Sequence, residues 1–262
     1  LFLSTLLLTT TASADLVFSA PPRESAAEAE KLYAPLVDRI GKLLGEKVVF
    51  QAPESWATYS RQMQDGTYDL VLDGPHFVAW RMAHKGHVPL VRLEGPLVYT
   101  VLAKKDGPAT LMDLRARKVC CMTSPNLTGV VVLNQFNPYS APELFAPRGG
   151  LKGSFDAFEE GKCDAVALPS YFFTQLPEEK TTGFRKLFTS DPMPNLALTA
   201  GPKVTKEQQK VLIKALSDPK GQEELSGLLS KLAGSGKGVF IPTSTKEYAG
   251  YEKLLEGVVW GW

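Results

Sequence analysis

The residues of this chain whose types could do chemistry suit the holding of a solute more than its transformation. Ser124-Pro125-Asn126-Leu127-Thr128-Gly129 places hydroxyl and amide groups between a strand-like run, Lys118 to Met122, and a helix-like start, Val130 to Asn134. Backbone N–H groups at such a junction lie at the positive end of a helix dipole and form an anion site, to which Ser, Thr and Asn add donors. An ordinary helix cap and turn uses the same residue types. Asp73-Gly74-Pro75-His76-Phe77 is the corresponding junction earlier in the chain, and Gly74 permits close backbone approach. Asp73 would repel an anion unless paired, so it holds an Arg or Lys, or selects a cationic group. Arg23 directly follows the first strand and can grip carboxylate or phosphate bidentately; an exposed surface Arg is the alternative.

His76, His84 and His87 are the three histidines. His84 and His87, three apart, could share a helix face, which is a weak metal pattern. Surface histidines near the turn at Gly86 are the preferred reading, and no metal or cofactor is expected. Cys120 and Cys121 are adjacent in a strand, so their side chains point to opposite faces. One belongs to the core and the other is free to pair with Cys163, which starts a nearby strand. Buried, unpaired cysteine is the reading preferred here.

Enzymatic chemistry finds little support. The chain has no nucleophile elbow, no carboxylate pair with a defined partner and no glycine-rich nucleotide loop, and histidine is scarce for general-base work. Lys and Arg number 29 against 28 Asp and Glu, a formal charge of +1 without a basic cluster, which argues against a nucleic-acid surface. Three cysteines exclude a disulfide-dense scaffold.

The elements that must position these residues begin after residue 14. Leu1 to Leu8 is apolar and is followed by Thr9-Thr10-Thr11 and Ala12-Ser13-Ala14, the pattern of the back half of a secretory signal peptide, truncated at its start. A membrane span would need roughly 20 apolar residues, and no second apolar stretch is long enough. Cleavage is expected after Ala14, giving a free periplasmic protein; no Cys follows the run to carry a lipid. The remainder is long enough for two modest domains sharing a cleft. It alternates short β-rich runs with helical patterns, as in an α/β fold on mostly parallel sheets.

Leu16 to Ser19 reads as the first strand. Ser25 to Leu44 reads as an amphipathic helix, with Ser25 and Glu28 forming a capping box and Pro35 expected to kink or divide it. Further strands are expected at Lys47–Phe50, Tyr68–Leu72, Leu97–Ala103, Lys118–Met122, Asp164–Leu168 and Asn195–Ala200. Helices are expected from Tyr59, Phe77 and Phe155, with a pair over Thr205–Leu232 broken near Asp218-Pro219. Asn137 to Gly153 reads as a loop rich in Pro and Gly. The chain also repeats itself. A helix, a glycine, an acidic residue and an apolar strand occur twice, as Gly66-Thr67-Tyr68-Asp69-Leu70-Val71-Leu72 and as Gly161-Lys162-Cys163-Asp164-Ala165-Val166-Ala167-Leu168. Two such α/β lobes enclose a cleft, and ligands bind there beyond the carboxyl ends of the strands.

On six stretches in order, the chain resembles the periplasmic proteins of phosphate, phosphite and phosphonate uptake systems, over essentially all of its mature length. They are Tyr33-Ala34-Pro35-Leu36, Trp56-Ala57-Thr58-Tyr59, Asp69 to Pro75, Thr123 to Gly129, Gly161 to Ala165, and Gly238-Val239-Phe240-Ile241-Pro242 with Tyr248 following. The resemblance implies a type 2 periplasmic binding fold, a Venus flytrap of two lobes joined by two crossing strands. Lobe 1 is expected over 15–98 plus 200–262 and lobe 2 over 99–199. It also implies that the protein closes on a small polar solute such as a phosphonate or phosphite and passes it to an ABC permease in the inner membrane, acting as a monomer. The candidate ligand contacts are then Arg23, Tyr59, Gly74, Pro75, His76, Tyr99, Ser124, Asn126, Thr128 and Gly129, with core packing the alternative for the two tyrosines. Family members of this kind usually carry Ser-Thr-Ser-Gly after Pro-Asn, whereas Leu127 here stands where a hydroxyl is expected. That change points to a larger, less charged or partly apolar solute. The alternative role is a periplasmic sensor partnering a membrane histidine kinase, as in relatives that sense arsenite through Cys.

Overall fold

A computed structural model of the chain describes residues 14–234 and 237–257. The expected leader falls on residues 1–13, outside that range; Ala14 and Asp15, which flank the expected cleavage point, are exposed. Thirteen strands are described: β1 (Leu16–Ser19), β2 (Val48–Phe50), β3 (Leu70–Asp73), β4 (Val88–Leu93), β5 (Pro96–Leu97), β6 (Tyr99–Lys104), β7 (Lys118–Cys120), β8 (Glu143–Phe145), β9 (Ala165–Pro169), β10 (Phe184–Thr189), β11 (Met193–Pro194), β12 (Ala197–Ala200) and β13 (Phe240–Pro242).

Two large sheets result, in the orders β2-β1-β3-β12-β4-β13 and β8-β7-β9-β6-β10. In each, three parallel strands form one half. A strand entering from the other lobe then runs antiparallel beside the third: β12 beside β3, and β6 beside β9. Each sheet is therefore mixed, parallel on one side and antiparallel on the other. The crossings run through β5 and β11, which pair antiparallel as a two-stranded ribbon. All of β12 lies in the first sheet, so the second crossing falls before Ala197, and a boundary between 199 and 200 cuts through a strand. An extended run declares its conformation but not its pairing partner.

The repeat seen in the sequence is a repeat of structure. Gly66 and Gly161 both adopt the left-handed backbone, at φ 75° and 78°, that releases the chain from the preceding helix. Asp69 accepts a hydrogen bond from Val17 N in β1 at 2.9 Å, and Asp164 accepts one from Lys118 N in β7 at 3.0 Å. Each aspartate also meets a cation, Lys203 at 3.1 Å and Arg117 at 3.0 Å. The acidic residue thus ties the start of one parallel strand to its neighbour in both lobes.

The first helix runs unbroken over Ala26–Leu44, capped by the reciprocal Ser25–Glu28 box and ended by Gly45 at φ 66°. Pro35 does not divide it. The proline is on the exposed side, where water can serve the carbonyl that loses its donor, while Tyr33, Leu36, Val37 and Ile40 bury the other face. The C-terminal helical region is three helices, Lys206–Ser217, Pro219–Glu224 and Ser226–Ala233, with Asp218 capping the second through Gly221 N at 2.7 Å.

Cys120 and Cys163 form a disulfide, which corrects the preference for unpaired cysteines. The alternation of side chains along β7 explains the choice. Cys120 and Cys163 share one hydrophobic cluster, with Phe155 and Phe158, whereas Cys121 lies in another, with Val101 and Leu114. Cys121 is free, and burial raises its thiol pKa to about 12.

Candidate functional site

A cavity of about 680 Å³ opens where the lobes meet. Its walls come from the segments that follow β1 (Arg23, Glu24), β3 (His76, Phe77), β7 (Met122, Asn126, Leu127, Thr128), β8 (Gly150, Leu151) and β9 (Tyr171), together with the crossing segments around Leu97 and Asn195. These are the carboxyl ends of the parallel strands, the place where open α/β sheets bind ligands. Hydrogen bonds join the lobes around it. His76 Nε2 meets Pro125 O at 3.0 Å, and Gln175 Nε2 donates to Gly234 O at 2.8 Å. Beyond the hinge, the C-terminal turn Tyr251–Leu255 touches both lobes, with Asn134 Nδ2 donating to Leu254 O at 3.1 Å.

In the first lobe the wall is set by a buried ion pair. Arg81 donates to both carboxylate oxygens of Asp73, each at 2.7 Å, and to Thr199 Oγ1 at 3.1 Å. Tyr59 donates its hydroxyl to the same carboxylate. The Arg81 and Asp73 side chains are 1% and 0% exposed, so the charge of Asp73 is neutralised before any ligand arrives. His87 Nδ1 joins the network at Thr199 Oγ1, 3.1 Å away, and burial lowers its pKa to about 3. The network holds the end of β3 against helix Pro75–Lys85. Gly74 is the N-cap of that helix, and no side chain caps it. First-turn N–H groups without a capping side chain are the kind that bind anions. His76 and Phe77 of that turn line the cavity.

The second lobe presents two helix starts of different character. The one predicted at Ser124–Gly129 serves itself. Asn126 Oδ1 accepts from Thr128 N at 3.0 Å, and Thr128 Oγ1 accepts from Met122 N at 3.0 Å. The Thr128 hydroxyl hydrogen is also engaged, with Met122 O at 2.9 Å. Among the described residues Asn126 Nδ2 meets only the Met122 sulfur, at 3.6 Å, and is the donor this turn has to spare. Gly129 is needed for packing: a Cβ there would stand 2.9 Å from both Met122 O and Ser124 N. Helix Gly150–Glu159, by contrast, starts at Gly149 without a side-chain cap, and Gly150 and Leu151 line the cavity.

Charge and shape complete the site. Arg23, Lys231 and Lys237 bring three positive charges to the lining against Glu24 and Glu94. Among the described residues no ion pair engages those three cations. Trp56, Phe77, Tyr99 and Tyr171 make much of the remaining wall, and the Trp56 and Phe77 rings stack at 6.1 Å.

Of the predicted contacts, the cavity brings together Arg23, His76, Tyr99, Asn126 and Thr128. Tyr59, Gly74, Pro75, Ser124 and Gly129 do not line it; Tyr59 is fully buried on Asp73. His84 is exposed beside Trp80 while His87 is buried on Thr199, so the two share no face. Among the described residues no group of three or more His, Cys, Asp or Glu is placed to hold a metal. Glu24, Trp56, Tyr171, Lys231 and Lys237 were missed. Trp56 and the Gly238 stretch stood in the segments that carried the family resemblance; nothing in the pattern marked Tyr171 or Lys231.

Two mixed α/β lobes, joined by two crossing strands and clasping a cavity at their strand ends, define a type 2 periplasmic binding protein. The family model for the ABC transporter, phosphonate, periplasmic substrate-binding protein matches residues 18–248, and the chain belongs to that family. No curated protein matches it in sequence. XAC2383 from Xanthomonas citri, solved bound to ATP, is 15% identical at TM-score 0.72, covering 94% of this chain and 100% of that one. PhnD1 from Prochlorococcus marinus, in complex with methylphosphonate, is 15% identical at TM-score 0.64, covering 92% and 96%. A binding protein component of an ABC phosphonate transporter from Pseudomonas aeruginosa is 14% identical at TM-score 0.64, covering 91% and 84%. At such identities these likenesses speak for the fold. The family itself carries the solute-binding role, the periplasmic location, the permease partner and the non-enzymatic class.

Proposed function

We propose that this protein captures a phosphonate or phosphate group carried on an organic body larger than methyl, and delivers it to an ABC permease. The observation that carries this reading is the pairing of anion donors with excess room. Two helix N-termini without side-chain caps, one from each lobe, and Arg23, which forms no ion pair among the described residues, face a cavity of about 680 Å³. That volume lies in the range of about 300–1,000 Å³ that takes drug-sized ligands and far exceeds a bare tetrahedral oxyanion. The aromatic wall and Leu127, buried where a hydroxyl is usual, favour an apolar or ring-bearing body. Relatives of the same fold hold methylphosphonate in one case and ATP in another, which brackets the proposed size. The cysteines lend thiol-based sensing no support at this cavity: Cys120 and Cys163 are paired, and Cys121 is buried and does not line it. The mature protein starts at Asp15, after removal of residues 1–14.

The test is a thermal-shift and calorimetric screen of the chain from Asp15, stripped of bound solute by unfolding and refolding. Because only the native state binds, the midpoint rises with ligand concentration. The expected result is a hit among aryl or nucleoside phosphonates and phosphates, with methylphosphonate weaker. Binding of sugars or amino acids, with silence from every phosphorus compound, overturns the reading.

A further inference from the structure

His76 stands at the second position of the uncapped helix Pro75–Lys85 and is 2% exposed. Its Nε2 lies 3.0 Å from Pro125 O. A carbonyl oxygen only accepts, so Nε2 must carry the hydrogen. That fixes the tautomer and leaves Nδ1 as a bare acceptor, buried and without a hydrogen-bond partner. Burial lowers the ring's pKa to about 4, and the Phe77 ring lies against it at 4.0 Å. A buried acceptor left unpaired is costly, and here it belongs to the same residue as one of the first-turn backbone N–H groups, four bonds away, in the turn that offers donors to an anion. A fully ionised oxyanion brings only lone pairs to this turn. An oxyanion that retains one proton satisfies both sets of groups, its ionised oxygens on the N–H donors and its O–H on Nδ1. Glu24 Oε2, a second buried acceptor without a partner, lines the same cavity.

We propose that His76 is a specificity-determining residue that makes the cleft select singly protonated phosphonates and phosphate monoesters over sulfonates, sulfates and fully ionised forms. This deepens the proposed function and rests on it. The probes are phenylphosphonate and benzenesulfonate, two tetrahedral anions on the same ring, of which only the phosphonate keeps an O–H in mildly acidic solution. Calorimetry on the chain from Asp15 is expected to give a preference for phenylphosphonate of about tenfold or more, the scale of one buried acceptor satisfied or not. Raising the pH until the phosphonate loses its second proton is expected to weaken it while leaving the sulfonate unchanged. Asp73, Arg23 and Arg81 are the charged groups acting on His76, and Glu24, Glu94, Lys231 and Lys237 share the cavity; any change they cause registers with the sulfonate too. His76→Leu is expected to bring the two affinities within about twofold. His76→Gln, which keeps a donor for Pro125 and an acceptor, is expected to restore the preference. Equal binding of both probes to the wild-type protein overturns the inference and leaves an oxyanion-binding protein standing. Silence toward both probes and all other phosphorus compounds overturns the proposed function and this inference with it.

Discussion

Asp73→Asn is the most informative single change in the first lobe. In the native protein the Arg81 cation is neutralised by two hydrogen bonds of 2.7 Å to the Asp73 carboxylate, with side chains 1% and 0% exposed. The amide keeps the shape but leaves the guanidinium buried without a counter-charge. Removing one partner of a buried pair costs about 3–5 kcal/mol, against a total stability of about 5–15 kcal/mol for a typical domain. Arg81→Met strands the carboxylate instead, with Tyr59 as its remaining donor, at a similar cost. The double variant removes both charges together, so its cost is expected to fall short of the sum of the singles by 2 kcal/mol or more. Urea unfolding followed by far-UV circular dichroism, with the slope checked for two-state behaviour, measures all three. Single variants costing under about 1 kcal/mol, or costs that simply add, would refute the argument that this pair is coupled and buried.

Two further outcomes follow from the same packing. Gly129→Ala places a Cβ 2.9 Å from two backbone atoms, Met122 O and Ser124 N, which cannot swing aside as a side chain tip would. It is expected to destabilise the protein by about 1–3 kcal/mol and to weaken ligand binding through Met122 and Asn126; an unchanged urea midpoint and affinity would contradict the close approach. Stability should also fall as the pH drops below 6.5, because burial lowers His76 to about 4 and His87 to about 3 from an ordinary 6.5. The unfolded chain then binds protons the native state refuses, so stability is full above 6.5 and is lost progressively toward 4. Urea midpoints between pH 7 and 5 should show an uptake on unfolding approaching two protons, reduced to about one in His87→Gln.

The parts of the fold that were legible in the sequence are those enforced locally. The Ser25–Glu28 box, the glycines that end helices and the buried apolar strands are written in neighbouring residues, and the repeat was visible because the same local solution occurs twice. The strands that escaped notice depend on partners far away. β8 (Glu143–Phe145) lies inside the Pro- and Gly-rich stretch and is a strand because its three residues pair in parallel with β7. β4 contains Pro89, which argues against a central strand. The chain tolerates it at a register shift, where β12 slips against β4 between Leu198 and Thr199. The choice of Cys120 over Cys121 for the disulfide is likewise invisible to spacing, and follows from which face of β7 meets the helix carrying Phe155 and Phe158.

The site was half legible for a related reason. Sequence pattern locates helix starts, and both starts expected at the cleft are there, but it does not say which are already satisfied. Thr128 and Asn126 have the chemistry of ligand donors and use most of it to close their own turn. Asp73 has the chemistry of a selector and is committed to Arg81. The groups left over are the plain ones: the starts of the helices after Gly74 and Gly149, which no side chain caps, and the Nδ1 of His76, without a hydrogen-bond partner among the described residues while its other nitrogen is spent across the lobes. Affinity in such a cleft belongs to whatever the protein does not satisfy by itself. The identity of the solute is therefore written less in the polar side chains than in the balance between them, which only the folded chain reveals.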